Sequence, residues 1–353
     1  MAETYKTVAA FLEKSAALRP VVGIICGSGL SGLSNAMEDT QVFPYSTIPG
    51  FPKPTVAGHA GELVFGTLAG VPTVCMRGRF HFYEGNTMET VVMPVRAMRC
   101  LGVKVLIVTN ASGGIAADLN IGDVLCIMDH FGLPCLTGQH PLSGHNDNAL
   151  GPRFLPTSNA YCQKMQQVVM KAAGTLGFDF VRPHGCYAMV SGPTYESMTE
   201  AKWLRMIGVD SVGMSTIPEI IAAHHSGMKV IGLSLVTNKV VMPGDTGPHA
   251  SHEEVLEEGA KRASQMQSLV KQIVKELQGE LSAMKDLPKI DLPKIDLSSR
   301  HEHTNGCSNG NSEQNGVGKG CGTRFGNAEI LAALIVGVAI GAVVSRKFYN
   351  FKN

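Results

Sequence analysis

Seven short apolar runs recur between residues 21 and 237, at 21–26, 62–68, 71–77, 103–109, 123–128, 186–190 and 229–237. Runs of this length, bounded by Gly, Pro, Asn and Ser, read as strands, and the first is apolar enough to be buried on both faces. Segments of helical period lie between them, at 87–100, 159–176, 197–207 and 217–225. A last helix opens at Ser251, where Ser-His-Glu-Glu254 forms a capping box, and continues to about residue 277. Residues 1–20 read as an amphipathic helix with Glu3, Lys6, Glu13 and Lys14, and not as a signal peptide. Alternating strands and helices imply an α/β sandwich with a central, largely parallel sheet, here over residues 1–285. An apolar content of 44% supplies a core for that size.

Charge and cysteine usage narrow the function. Thirty basic against twenty-nine acidic side chains leave a net charge of +1, which argues against bulk nucleic-acid binding through charge. The nine cysteines are scattered, with no CxxC spacing. That argues against a structural zinc or a disulfide scaffold and for a reducing, cytoplasmic setting. No Walker A loop and no GxSxG is present.

In α/β sandwiches ligands bind beyond the carboxyl ends of strands. The first strand runs into Gly27-Ser-Gly-Leu-Ser-Gly32, a GxGxxG. A dinucleotide site also needs an acidic residue ending a second strand some 20 residues on. Residues 46–54 offer neither strand nor carboxylate. Two readings are left: an anion-holding turn with the Ser28 hydroxyl, or glycines that only shape the turn. After Arg77 come Arg79, His81 and Tyr83 between Gly78 and Gly85. Arg79 and His81 point the same way in extended chain and suit an oxyanion, although a surface Arg is more often just solvated. Asn110 and Ala111 open the small-residue loop after the fourth strand, which admits a flat ligand or forms an Asx-type turn. Tyr195 and Glu196 put an aromatic beside a carboxylate, Met214 and Ser215 precede a helix, and Asn238 ends the last strand. His252 sits in the first turn of the last helix. An anion cluster (Ser28, Arg79, His81, Ser215) beside polar and aromatic groups (Tyr195, Glu196, Asn238) suits phosphate plus a planar, amide-like heterocycle.

Eight motifs occur in order: GSGL at 27–30, PGFPKPTVAGHAG at 49–61, GRFHFYEG at 78–85, TNASGG at 109–114, SGPTYES at 191–197, VGMSTIPE at 212–219, TNK at 237–239 and HEEVL at 252–256. Together they resemble the homotrimeric, vertebrate-like class of purine nucleoside phosphorylases, over about residues 5–278. The resemblance implies a three-layer α/β sandwich with a central mixed sheet. It also implies phosphorolysis of inosine and guanosine to free base and ribose 1-phosphate, with inorganic phosphate as co-substrate and no cofactor or metal. It assigns Ser28, His59, Arg79, His81, Asn110, Ala111 and Ser215 to phosphate, with Ala111 acting through its backbone. Tyr83, Met214 and His252 are assigned to ribose, and Tyr195, Glu196 and Asn238 to the base. Phe154 is the aromatic that one subunit of a trimer lends its neighbour. Asn238, Glu196 and His81 are the residues implied in catalysis. Ser112 stands where many relatives have Ala, Tyr195 where some have Phe, and the 243–248 stretch also departs from the pattern. Two alternatives are methylthioadenosine phosphorylase activity on the same fold and a catalytically altered, membrane-tethered paralogue. Asn238 favours a 6-oxopurine, since the methylthioadenosine enzymes carry Asp there.

Beyond residue 285 the composition changes. The pentapeptide LPKID is repeated at 287–291 and 292–296, and a polar stretch rich in Asn, Gly and Ser follows. Residues 286–328 read as a disordered linker. Ile330 to Val344 carries no polar side chain, and Arg346, Lys347 and Lys352 follow it. As a helix, these fifteen residues reach roughly 22 Å of a ~30 Å hydrocarbon core. With its flanks, 329–345 reads as a tail-anchor helix in preference to an interfacial or partner-binding one, followed by a short basic tail at 346–353.

Overall fold

The computed structural model describes residues 2–53, 55, 60–246 and 251–295. It begins with α1 (Ala2–Ser15), β1 (Val22–Ile25), β2 (Glu38–Pro44), β3 (Glu62–Leu68), β4 (Val71–Arg77) and α2 (Met88–Cys100). There follow β5 (Val105–Gly114), β6 (Val124–Gly132), α3 (Leu133–Leu136), α4 (Gln163–Leu176) and β7 (Val181–Met189). The chain continues through α5 (Met198–Met206), β8 (Ser211–Gly213), α6 (Ile217–His225), β9 (Lys229–Lys239) and α7 (His252–Ala283).

The nine strands form one mixed sheet in the order β2-β3-β4-β1-β5-β8-β7-β6-β9, and β5 also pairs with β9. That extra pairing closes the second half of the sheet on itself. β1 lies parallel between β4 and β5 through backbone that is buried along its whole length. β5 is the hub. It pairs in parallel with β1 and β9 and, at Gly113–Gly114, antiparallel with β8. A register shift between Ser112 and Gly113 breaks the β5–β9 ladder just where those strands enter the site. The expected α/β sandwich with a central mixed sheet is therefore present. β2 and β8 go unannounced in the apolar pattern, because β2 is mostly exposed and β8 is three residues long.

The helices pack in different ways: α6 is buried almost all round, whereas α7 turns one face to the core. In α7, Met266, Leu269, Val270, Ile273, Val274 and Leu277 recur at three- and four-residue spacing and join the main core. Lys171–Glu276 and Lys164–Glu280 ion pairs link α4 to α7 at the surface. The Ser251 half of the expected capping box forms, its hydroxyl accepting from the Glu254 N–H at 3.2 Å.

The body does not end at residue 285. Residues 286–295 lie along it as an irregular strap, and the first compact unit runs Met1–Asp296. Residues 286–295, expected to be linker, therefore belong to that unit. The physical reason is in the first pentapeptide copy. Its Ile290 is buried, its Pro288 carbonyl accepts from Arg99 Nη2 at 2.7 Å, and Asp286 pairs with Lys104 at 2.7 Å. Lys14 caps the strap at the Ile295 carbonyl. Arg99 is itself buried, and its Nε donates to the Ser226 carbonyl, so the strap supplies an acceptor for a guanidinium already committed to the interior. Among the described residues no helix is long and apolar enough to cross a membrane. The anchor expected at 329–345, the basic tail and the rest of the linker lie outside the described residues.

Candidate active site

At the carboxyl ends of β5, β8 and β9 a cleft of about 690 Å³, including its solvent-open mouth, gathers residues from loops far apart in sequence. Ser28, Arg79, His81, Asn110, Ala111 and Ser215 line it, as do Tyr83, Tyr195, Glu196, Met214, Asn238 and His252. Twelve of the fourteen expected site residues thus share one cavity of the size that holds a small ligand. The other two do not belong to it. His59 lies outside the described residues. Phe154 is 89% exposed on the 151–160 loop and is not part of the cleft lining.

The glycine loop after β1 is shaped by close packing. A side chain on Gly27 would come within 2.7 Å of the Asn110 backbone, and Gly29, at φ +74°, faces Gly259 of α7. The Gly27 N–H donates to Thr109 Oγ1 at 2.9 Å, and that hydroxyl donates on to the Ile25 carbonyl. These contacts hold the loop against β5, and its Ser28 lines the cleft.

Arg79 is almost wholly buried yet is held on every side. Nη1 donates to Ser215 Oγ at 2.7 Å and Thr216 Oγ1 at 3.1 Å, and Nη2 donates to the Thr109 carbonyl at 2.7 Å. Nε stands 3.3 Å from Glu219 Oε1, a carboxylate buried in the first turn of α6. A buried cation needs such a partner, since desolvation alone costs on the order of several kcal/mol per ion. Thr216, a β-branched residue at φ +78°, carries the strain of the turn that presents both hydroxyls.

His81 is buried, and its Nδ1 lies 2.9 Å from Glu84 Oε1, which also accepts from the His81 backbone N–H at 2.7 Å. Burial lowers the His81 pKa in spite of Glu84, so the ring is neutral near pH 7 and Nδ1 is the protonated nitrogen. Burial would raise Glu84, but hydrogen bonds from His81 and Thr55 outweigh it and hold the carboxyl at about 2. Tyr83 stacks on His81 with ring centroids 4.7 Å apart, and burial pushes its phenol up to about 12, so it stays a neutral donor.

The opposite end of the cleft is looser. Tyr195 is 43% exposed. Glu196 is half-buried, and burial raises its pKa. Asn238 makes two long contacts, accepting from Thr237 Oγ1 and donating to the Lys239 carbonyl, both at 3.4 Å. Its amide is thus close to uncommitted. Tyr195, Glu196 and Asn238 also line a second cavity, with Ser197, Met198 and Lys239.

Sequence reasoning passed over Glu84, Glu219, Thr216 and Ser234. Glu84 and Glu219 sit inside the quoted motifs, but nothing in their spacing says that each neutralises or orients a neighbour. Among the described residues no cluster of His, Cys, Asp and Glu that could hold a metal ion occurs, and all seven cysteines there are free thiols.

Residues 21–275 match the pattern of the phosphorylase superfamily. The purine nucleoside phosphorylase of Mus musculus is 46% identical over 268 residues, 76% of this chain and 93% of the mouse protein. The crystal structure of Schistosoma mansoni purine nucleoside phosphorylase in complex with inosine matches with a TM-score of 0.74 at 44% identity, covering 77% of this chain and 96% of that one. The Schistosoma enzyme in complex with guanosine matches with a TM-score of 0.73 at 43% identity, covering 78% and 97%.

Proposed function

The chain belongs to the phosphorylase superfamily, among the purine nucleoside phosphorylases, and from that premise we propose how its cleft divides the work. The reaction is phosphorolysis: orthophosphate attacks C1′ of inosine or guanosine, and the products are the free purine and ribose 1-phosphate. Arg79, Asn110, Ser215, Ser28, His81 and the Ala111 backbone hold the phosphate. Tyr83, Met214 and His252 face the ribose, with His252 on the 5′-hydroxyl. Tyr195, Glu196 and Asn238 take the base. What carries this reading is the joining, in a single cleft, of a dry cationic end built on Arg79 with a polar, half-open end built on Glu196 and Asn238.

Each end has a defined task. As the glycosidic bond breaks, the sugar gains positive charge and the purine gains electrons. The phosphate dianion stabilises the sugar, and its own charge is offset by the Arg79 guanidinium. The Asn238 amide donates to O6 and accepts from N7–H as N7 takes up a proton. Ionised Glu196 accepts from N1–H, which a 6-oxopurine has and a 6-aminopurine lacks. Groups fixed in advance where charge develops are each worth roughly 10²–10³ in rate. The test is inosine cleavage with and without orthophosphate, beside methylthioadenosine as the competing substrate. Cleavage without phosphate, or faster turnover of methylthioadenosine, rejects the assignment.

Two further readings rest on single observations. The bare Phe154 side chain fits a residue covered by a neighbouring subunit of a trimer. Sedimentation of the wild type and Phe154→Ala, with inosine kinetics on each, tests it. The apolar run at 330–344 fits a membrane anchor outside a cytoplasmic catalytic body. Fractionation of the full chain against one ending at residue 295 tests that, and a full chain that stays in the soluble fraction rejects it.

A further inference from the structure

Ser234 lies in the middle of β9, fully buried and outside the cleft lining. We propose that it is a positioning residue: it fixes which end of the Asn110 amide meets the bound anion. The inference rests on the reading of the Arg79–Asn110 end as the phosphate site.

The argument is a count of hydrogens. Ser234 Oγ stands 2.7 Å from Asn110 Oδ1 and 2.7 Å from Ser112 Oγ. A hydroxyl has one hydrogen to give. The other acceptor within reach of Ser112, the Leu235 carbonyl, lies at 3.4 Å, a poor contact beside 2.7 Å. The arrangement that satisfies all three side chains is a relay in which Ser112 donates to Ser234 and Ser234 donates to Asn110 Oδ1. At its other end Asn110 Nδ2 donates to Thr216 Oγ1 at 2.9 Å. The amide oxygen is thereby occupied inside the protein, and the second Nδ2 hydrogen is the group Asn110 has left to offer the cleft it lines. A flipped amide would set a carbonyl oxygen against a dianion and Nδ2 against Ser234. Asn110, Ser112, Thr216 and Ser234 are all buried, so water does not compete for these bonds.

Steady-state kinetics of inosine phosphorolysis on the full chain, with orthophosphate varied, test the idea in four proteins: wild type, Ser234→Ala, Asn110→Ala and the double variant. Ser234→Ala is expected to raise the KM for phosphate about tenfold, the worth of one well-formed buried hydrogen bond. The KM for inosine should stay within about twofold. In the Asn110→Ala background the same change should add nothing. Ser234→Cys keeps the size and weakens the donor, so it should shift the phosphate KM in the same direction by a smaller factor, and it serves if the alanine variant does not fold. An Asn110→Ala protein with normal phosphate KM removes the phosphate reading itself. Should Asn110→Ala raise that KM while both Ser234 variants leave it alone, the positioning role is overturned. It is overturned equally if Ser234→Ala raises both KM values alike, or still acts without Asn110.

Discussion

The two asparagines of the cleft are chemically the same and physically unlike. Asn110 is buried in β5 and gripped at both ends of its amide by hydrogen bonds of 2.7 and 2.9 Å. Asn238 sits at the exit of β9 with two contacts of 3.4 Å. The residues around them follow suit: Arg79, Glu219 and Thr216 are closed in, whereas Tyr195 and Glu196 are partly open. On the proposed reading the Asn110 end meets phosphate and the Asn238 end the base. Inorganic phosphate is small, and its recognition has to be set before it arrives, because preorganised dipoles do not reorganise during reaction. The base is large and brings its own donors and acceptors, so the groups that meet it gain by being uncommitted beforehand.

If that contrast is right, damage at the two ends should differ in kind. Arg79→Ala should have the largest effect, lowering kcat/KM by roughly 10³. It should also lower unfolding stability by about 3–5 kcal/mol, because Glu219 is left as a buried, unpaired charge. Denaturant melts beside the kinetics read both. Asn238→Ala should cost roughly 10² in kcat/KM and leave stability within about 0.5 kcal/mol, since little is bonded to its amide. A large loss of stability in that variant would erase the distinction between the ends.

Acid should separate them as well. Glu196 has a raised pKa, so as pH falls it protonates above the ordinary carboxylate range, and the inosine KM at saturating phosphate should climb from there. Glu196→Gln should flatten that limb. Glu84 has the opposite sign. Its depressed pKa means that it stabilises the fold above the ordinary carboxylate range, and the contribution fades as pH falls toward about 2. Wild type and Glu84→Gln should therefore differ in stability near neutrality and converge in strong acid. The smallest effect should come from Ser112→Ala, about twofold in phosphate KM, since Ser234 still has Asn110 as its acceptor.

The strands that carry the site were legible because each is an apolar run ending in a small-residue loop, and the loops are where the chemistry collects. Twelve expected residues meet in one cleft because eight motifs in fixed order specify them, not because any one motif does. The GxGxxG shows the limit: its pattern alone left two meanings open, and only the approach of Gly27 to Asn110 and of Gly29 to Gly259 accounts for the first two glycines. Glu219, Thr216 and Ser234 were illegible for a different reason. Their importance lies in which side chain they touch, across gaps of more than a hundred residues for Thr216 and Ser234 against Asn110, and periodicity carries no information about that. The strap at 286–295 was hidden by composition, since Pro, Lys and Asp outweigh the Leu and Ile that do the packing.

That strap gives the protein a front and a back. Arg99, Lys104 and Ser226, which receive it, precede β5 and β9, whereas Asn110 and Asn238 lie further along the same strands, about 20 Å beyond Lys104 and about 30 Å beyond Lys229 at strand rise. The thirty-two residues of α7 run between the two sides, with His252 at the mouth and Met284 handing over to the strap. The last described residues, up to Ile295 beside Lys14, thus lie at the amino ends of β5 and β9, away from the cleft at the carboxyl ends of the same strands.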